Sequence, residues 1–142
     1  MRIKQFRNVN GYTNSAAEVK AEFLRTGKKV LRAVGKALAD KGYVEQDIRV
    51  NKAGPAVSGE VCADFFKQDN PIGVWFQWFE SAVGGGGTAI LYRWTERRKR
   101  GKHTATGPNQ WLTVDGDIDI DALADKAAKQ AEARQAFTGK LC

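Results

Sequence analysis

The sequence predicts an α+β domain in which one antiparallel meander sheet of four or five strands carries an N-terminal amphipathic helix and a C-terminal Ala-rich helix. Three observations carry this reading. Apolar residues recur every three or four positions between Val19 and Leu38, alternate every second position from Val57, and return to helical spacing after Asp119. The chain of 142 residues, 42% of them hydrophobic, is long enough to bury one core and too short for several. We therefore divide a single domain, 1–142, into an N-terminal extension 1–14, a helix 15–42, a sheet region 47–114 and a helix 119–137.

Ser15-Ala16-Ala17-Glu18 is a capping-box pattern and sets the start of the first helix. Val19, Phe23, Val30, Leu31, Val34 and Leu38 make its apolar stripe, and Gly42 supplies a C-terminal stop. Gly27 and Gly35 lie inside it, each costing about 1 kcal/mol against Ala, so a bend or a division near Gly27 is the main alternative. Past Gly42 the period falls to two. Ile48 to Val50 is a short candidate strand, and Val57, Val61, Ala63 and Phe65 alternate with polar residues. Asp69-Asn70-Pro71 marks a turn. Ile72 to Glu80 and Thr88 to Thr95 form a hairpin across Gly84 to Gly87, and Gln110 to Val114 follows a polar loop. The acids Asp115 to Asp121 favour the positive end of the last helix dipole, and Ala124, Ala127, Ala128 and Ala131 let that helix approach the sheet closely.

Composition narrows function before any motif does. Lys and Arg number 23 against 16 Asp and Glu, a formal charge of +7 that favours polyanionic partners. One His and two Cys cannot supply a zinc finger, an iron–sulfur cluster or a multi-histidine site, so no cofactor and no metal is expected. Cys62 and Cys142 do not form the framework of a secreted mini-protein, the basic start leads into no apolar signal core, and no segment is apolar enough for a membrane span. A cytoplasmic protein without membrane contact is the expectation.

Two basic features point to phosphate contact. Arg25, Lys28, Lys29, Arg32 and Lys36 fall in one sector of the first helix, opposite its apolar stripe, with no acid between Lys28 and Lys36. Arg97, Arg98, Lys99, Arg100 and Lys102 place five positive charges within six residues on a loop, followed by His103. Either set can instead be an ordinary solvated surface. In Ile72 to Glu80 both faces carry large apolar groups. Trp75 and Phe79, with Arg93 or Trp94 nearby, would make a stacking platform or an interface if their face is open, and core or dimer-interface burial is the plainer alternative.

Other patterns are weaker. Gly84 to Gly87 lacks the Gly-Lys-Ser/Thr ending of a phosphate loop and fits a hairpin tip. Asp115 to Asp121 has Ile120 where a calcium loop needs Gly. A nuclease would require Glu60, Asp64 and Glu80 to converge on a divalent cation, or His103 to act as a base, and nothing in their spacing demands either. The order helix, strands, helix, with Asp125-Lys126-Ala127-Ala128-Lys129, resembles double-stranded RNA-binding domains, whose second helix opens with Lys-Lys-x-Ala-Lys. Here an Asp replaces the first Lys and the sheet region is longer, so no residue role is taken from that family.

The expected function is that of a small non-catalytic nucleic-acid-binding protein, DNA or RNA, whose helix face and basic loop lie on a common side of the molecule and contact phosphates in one groove. A second reading is a phage-type or mobile-element inhibitor or adaptor that docks on an acidic protein surface of a nucleoprotein complex, with Trp75, Trp78, Trp94 or Trp111 as anchors. A homodimer is an alternative use of the aromatic face.

Overall fold

The structure, a computed structural model, describes residues 1–6, 9, 17–52, 59–81, 87–97 and 106–141, with side chains up to residue 136. Along the chain run α1 (Ala17–Ala39), β1 (Glu45–Asn51), β2 (Glu60–Phe66), β3 (Ile72–Glu80), β4 (Thr88–Glu96), β5 (Gln110–Thr113) and α2 (Ile120–Leu141). The strands form a single five-stranded sheet in chain order, each antiparallel to the next. This is the predicted α+β meander.

The apolar stripe of α1 packs as its spacing requires. Phe23, Val30, Leu31, Val34 and Leu38 are fully buried, and Val19 packs at the margin of the core. The helix does not divide at Gly27. Gly27 and Gly35 both face the sheet, where an added Cβ would overlap the Trp78 ring or come within 2.7 Å of Gln46 Oε1. The helix-propensity cost of the two glycines, about 1 kcal/mol each, is thus offset by close packing. Helical structure ends at Ala39, three residues before the expected stop. Tyr43 N–H bonds to Leu38 C=O and Gly42 N–H to Ala39 C=O, both at 3.0 Å, with Gly42 at φ 98°. These bonds form a Schellman motif, which places the glycine beyond the helix rather than in it.

In the sheet, alternation separates two faces. Val61, Ala63 and Phe65 of β2, Val74, Phe76 and Trp78 of β3 and Ile90 and Tyr92 of β4 align across the strands and are buried with the helices. β1 extends well past the expected Ile48–Val50 and pairs along its whole length with β2. Its residues are exposed apart from Ile48, as suits an edge strand, and its charges Glu45, Asp47 and Arg49 all lie on the side of the pleat away from the helices. Val57 and Ser58, expected at the start of β2, lie outside the described residues. In the turn before β3 it is Asp69 that takes a left-handed φ of 57°, while Asn70 Oδ1 accepts the Ile72 N–H at 2.9 Å. The β3–β4 hairpin closes through Ser81 N–H to Gly87 C=O at 2.8 Å.

Asp119 caps α2, its Oδ1 accepting the Ala122 N–H at 3.1 Å. Ala124, Ala127, Ala128 and Ala131 are buried, and α2 packs on β3 and β4 beside α1. Residues 1–6 are part of the domain, not an extension before it. Ile3 N–H bonds to Gly116 C=O at 3.0 Å, Ile118 N–H to Met1 C=O at 2.9 Å, and Phe6 meets Phe23 edge-on at 5.3 Å. The result is two layers: both helices on one face of the sheet, and no described element on the other.

Candidate nucleic-acid interface

Opposite its buried stripe α1 carries a cluster of positive charge. Arg25, Lys29, Arg32 and Lys36 are exposed and Lys28 is half-buried. The first four follow at steps of four, three and four residues, so they line one edge of the helix over about 16 Å at 1.5 Å per residue. Among the described residues none of the five has a carboxylate within 4.0 Å. Glu22, on the same side of the helix, is bound by Lys4 at 3.3 Å. Like charges at these spacings destabilise a helix by a few tenths of a kcal/mol per pair. The row therefore costs stability, and nothing within the described fold recovers that cost.

The sheet face away from the helices has a different character. Its β3–β5 half carries Trp75, Gln77, Phe79, Ala89, Leu91, Arg93 and Trp111, with Trp75 opposite Arg93 and Leu91 opposite Trp111. The Arg93 guanidinium lies 4.3 Å from the centre of the Trp75 ring and donates to Asn109 at 3.2 Å. Phe79 and Trp111 meet at 5.6 Å with their planes 64° apart, and Trp111 is 61% exposed. On the β1–β2 half every carboxylate has a partner. Arg49 bridges Asp47 at 2.6 Å and Asp64 at 2.7 Å, Asn51 and Gln77 both donate to Glu60, and Arg97 holds Glu45.

Several expected groupings do not form. Trp94 lies opposite Val74, on the helix face, beneath the Arg134 guanidinium at 4.5 Å, and so cannot join Trp75 and Phe79. Trp78 is fully buried and cannot be an anchor. Arg97 is on the helix-free side of the sheet, stacked on Phe66 at 4.3 Å, donating to Asn70 C=O at 2.8 Å and Lys67 C=O at 3.0 Å. It ties the β2–β3 turn to β1 and is separated from the α1 row by the sheet. Arg93 lies on that same far side. One continuous groove from α1 to Arg97 is therefore not built. Arg98, Lys99, Arg100, Lys102 and His103 lie outside the described residues, as does Ser15.

The carboxylates are also dispersed. Glu80 is on the helix face, buried, accepting the Val9 N–H at 2.7 Å, whereas Glu60 and Asp64 are on the other face, so the three do not converge. Asp117 binds the N-terminal amine at 3.1 Å, Asp115 accepts from Gln5 and Asp119 caps α2, so three of the four acids of the run have partners within the chain. Among the described residues no group of three His, Cys, Asp or Glu is placed to hold a metal ion. Asp125 to Lys129 begin more than a turn inside α2, with Asp125 bound to Lys41 at 2.5 Å, so the segment does not open the helix as the RNA-binding resemblance would have it.

Sequence reasoning missed Trp111 as the partner of Phe79. The signal was present: Leu112 and Val114 point inward, which turns Trp111 outward. No described helix is long and apolar enough to cross a membrane. No family model, curated protein or solved structure matches the chain.

Proposed function

We propose that the protein is a small non-catalytic nucleic-acid-binding module that lays α1 along a phosphate backbone. The observation that supports this most is the row Arg25, Lys29, Arg32 and Lys36, flanked by Lys28, none of which has a carboxylate within 4.0 Å among the described residues. Each phosphate it neutralises releases condensed counterions, a gain in affinity that does not depend on base sequence. The α1 row contacts phosphates and sets orientation, with the basic run Arg98 to Lys102 as a further source of charge. Arg97, engaged by Glu45 and two carbonyls, is part of the scaffold.

A gel-shift series over single- and double-stranded DNA and RNA at two salt concentrations tests the reading, comparing the native chain with Lys29→Glu/Arg32→Glu. The double variant is expected to lose binding to every duplex broadly, since both residues are exposed and outside the core. Equal binding by the two proteins would reject α1 as the contact. A lysate partner that is retained after nuclease treatment, and lost from the same variant, would transfer the row to an acidic protein surface.

A further inference from the structure

We propose that the outer edge of β1 is a self-association surface, on which a second copy of this chain adds its own β1 antiparallel across a two-fold axis at Ile48. This surface is distinct from the α1 row and does not rest on the reading of that row.

The edge itself comes first. β1 ends the sheet, and among the described residues no strand pairs with its outer side. Every second residue of the strand therefore turns its N–H and C=O away from β2, and such a row is a template for another strand. β5 ends the sheet on the other side but spans four residues, against seven in β1.

Charge on an edge strand usually guards against pairing. A guard of one sign repels every copy, but β1 carries both signs, and their spacing selects one register. Asp47 and Arg49 lie on the helix-free side of the pleat, flanking Ile48, which is the central residue of the strand and faces the helices. When two copies are centred on Ile48, all seven residues of each strand are paired. Asp47 of each copy then stands opposite Arg49 of the other, Glu45 opposite Asn51, Gln46 opposite Val50, and Ile48 opposite itself. Sliding to the next register that keeps the faces matched sets Asp47 against Asp47, or Arg49 against Arg49, and shortens the overlap. Directly opposed like charges destabilise a strand pair and unlike charges stabilise it, so full overlap and charge matching choose the same register. Arg49 already holds Asp47 and Asp64 of its own chain at 2.6 and 2.7 Å, which keeps its guanidinium on this side of β1. Pairing gives each Asp47 a second guanidinium.

Apolar exposure and the path of α1 agree with this register. Among the described residues three large hydrophobics are exposed, and two of them are Val44, just before β1, and Val50, within it. α1 covers the start of the strand, where Gly35 C=O accepts from Gln46 at 2.7 Å, and at Gly27 it has crossed to Trp78 of β3. Val50 is left uncovered on the same face. Because Gln46 opposes Val50, the covered end of each β1 comes beside the uncovered end of the other, and Val50 is diagonal to Ile48 of the second copy. A peptide of one charge would match half of this edge, whereas a second copy matches all of it.

Sedimentation velocity of the whole, nuclease-treated chain tests the proposal. The native protein is expected to pass from monomer to dimer between low and high micromolar concentration. Asp47→Arg sets Arg against Arg across the two-fold axis, and Arg49→Asp sets Asp against Asp. Each is expected to weaken self-association roughly tenfold or more, with circular dichroism confirming that the variant is folded. An equimolar mixture of the two variants restores unlike pairs at both positions, and is expected to form a heterodimer where neither variant associates alone. That complementation acts between chains, so a change in the stability of either variant does not produce it. The proposal is overturned if the native chain stays monomeric, a measurement that needs no variant. It is equally overturned if both folded variants dimerise as the native chain does, or if their mixture stays monomeric where the native chain is a dimer.

Discussion

Gly27 lies directly against Trp78: the middle of α1 and the C-terminal part of β3 meet with no side chain between backbone and indole. Trp78 is fully buried and touches Phe23 at 5.5 Å, so its ring has no room to retreat. Gly27→Ala ought to stabilise an isolated helix by about 1 kcal/mol, but in this fold overpacking costs typically 1–3 kcal/mol and outweighs it. Thermal unfolding of the variant should therefore begin at lower temperature than that of the native chain. A higher midpoint would mean that the α1–β3 seam has slack.

Glu80 ties residue 9 to the end of β3 through its bond to the buried Val9 N–H. Glu80→Ala leaves that donor unsatisfied, at a cost of about 1–3 kcal/mol. Urea titration should show a lower midpoint with little change in slope, and an unchanged midpoint would show that water replaces the carboxylate freely.

Buried weak acids make the fold less stable at alkaline pH, Tyr43 and Cys62 foremost. Burial, assisted by the charge of Glu132, pushes the Tyr43 phenol up to about 12. Burial, with Glu60 adding, pushes the Cys62 thiol up to about 11. Both groups are held neutral in the folded state, so the unfolded chain loses these protons first as pH rises. Their stabilising contribution is complete below the ordinary values, about 8.5 for the thiol and about 10 for the phenol, and disappears by about pH 11 and pH 12 respectively. Denaturation midpoints should fall across that window, and Tyr43→Phe should flatten the upper part of the fall. At pH 8 the Cys62 thiol, measured in a Cys142→Ser background, should react with a disulfide reagent only on unfolding. Rapid reaction of the native protein would contradict the burial.

How far the sequence reveals this architecture depends on which residues carry the signal. The 3.6-residue spacing of Phe23, Val30, Val34 and Leu38 is strong because one helix face is wholly buried, and it locates α1 and its charged edge together. β3 is legible at both ends, with Pro71 before it and the glycine-rich segment after Glu80. β1 is barely legible, since Gln46, Asp47, Arg49 and Val50 are exposed and alternation carries little information where neither side is buried. The error over Trp94 has a specific origin: which face it shares depends on the β3–β4 register, and a run of four glycines leaves register unspecified from sequence. The same limit hid the separation of Arg97 from α1. Each charge was visible, but the sheet between them was not.

The central claim is that the α1 row neutralises phosphates. Fluorescence anisotropy of a labelled DNA duplex, titrated with the native chain and with Lys29→Glu/Arg32→Glu over a series of salt concentrations, measures it most directly. If the four cations of the row and the flanking Lys28 all engage, log K should fall against log salt with a slope near −4.5, at about −0.9 per phosphate, and the variant should bind more weakly with a visibly shallower slope. Salt-independent binding, or equal slopes for the two proteins, would contradict the account.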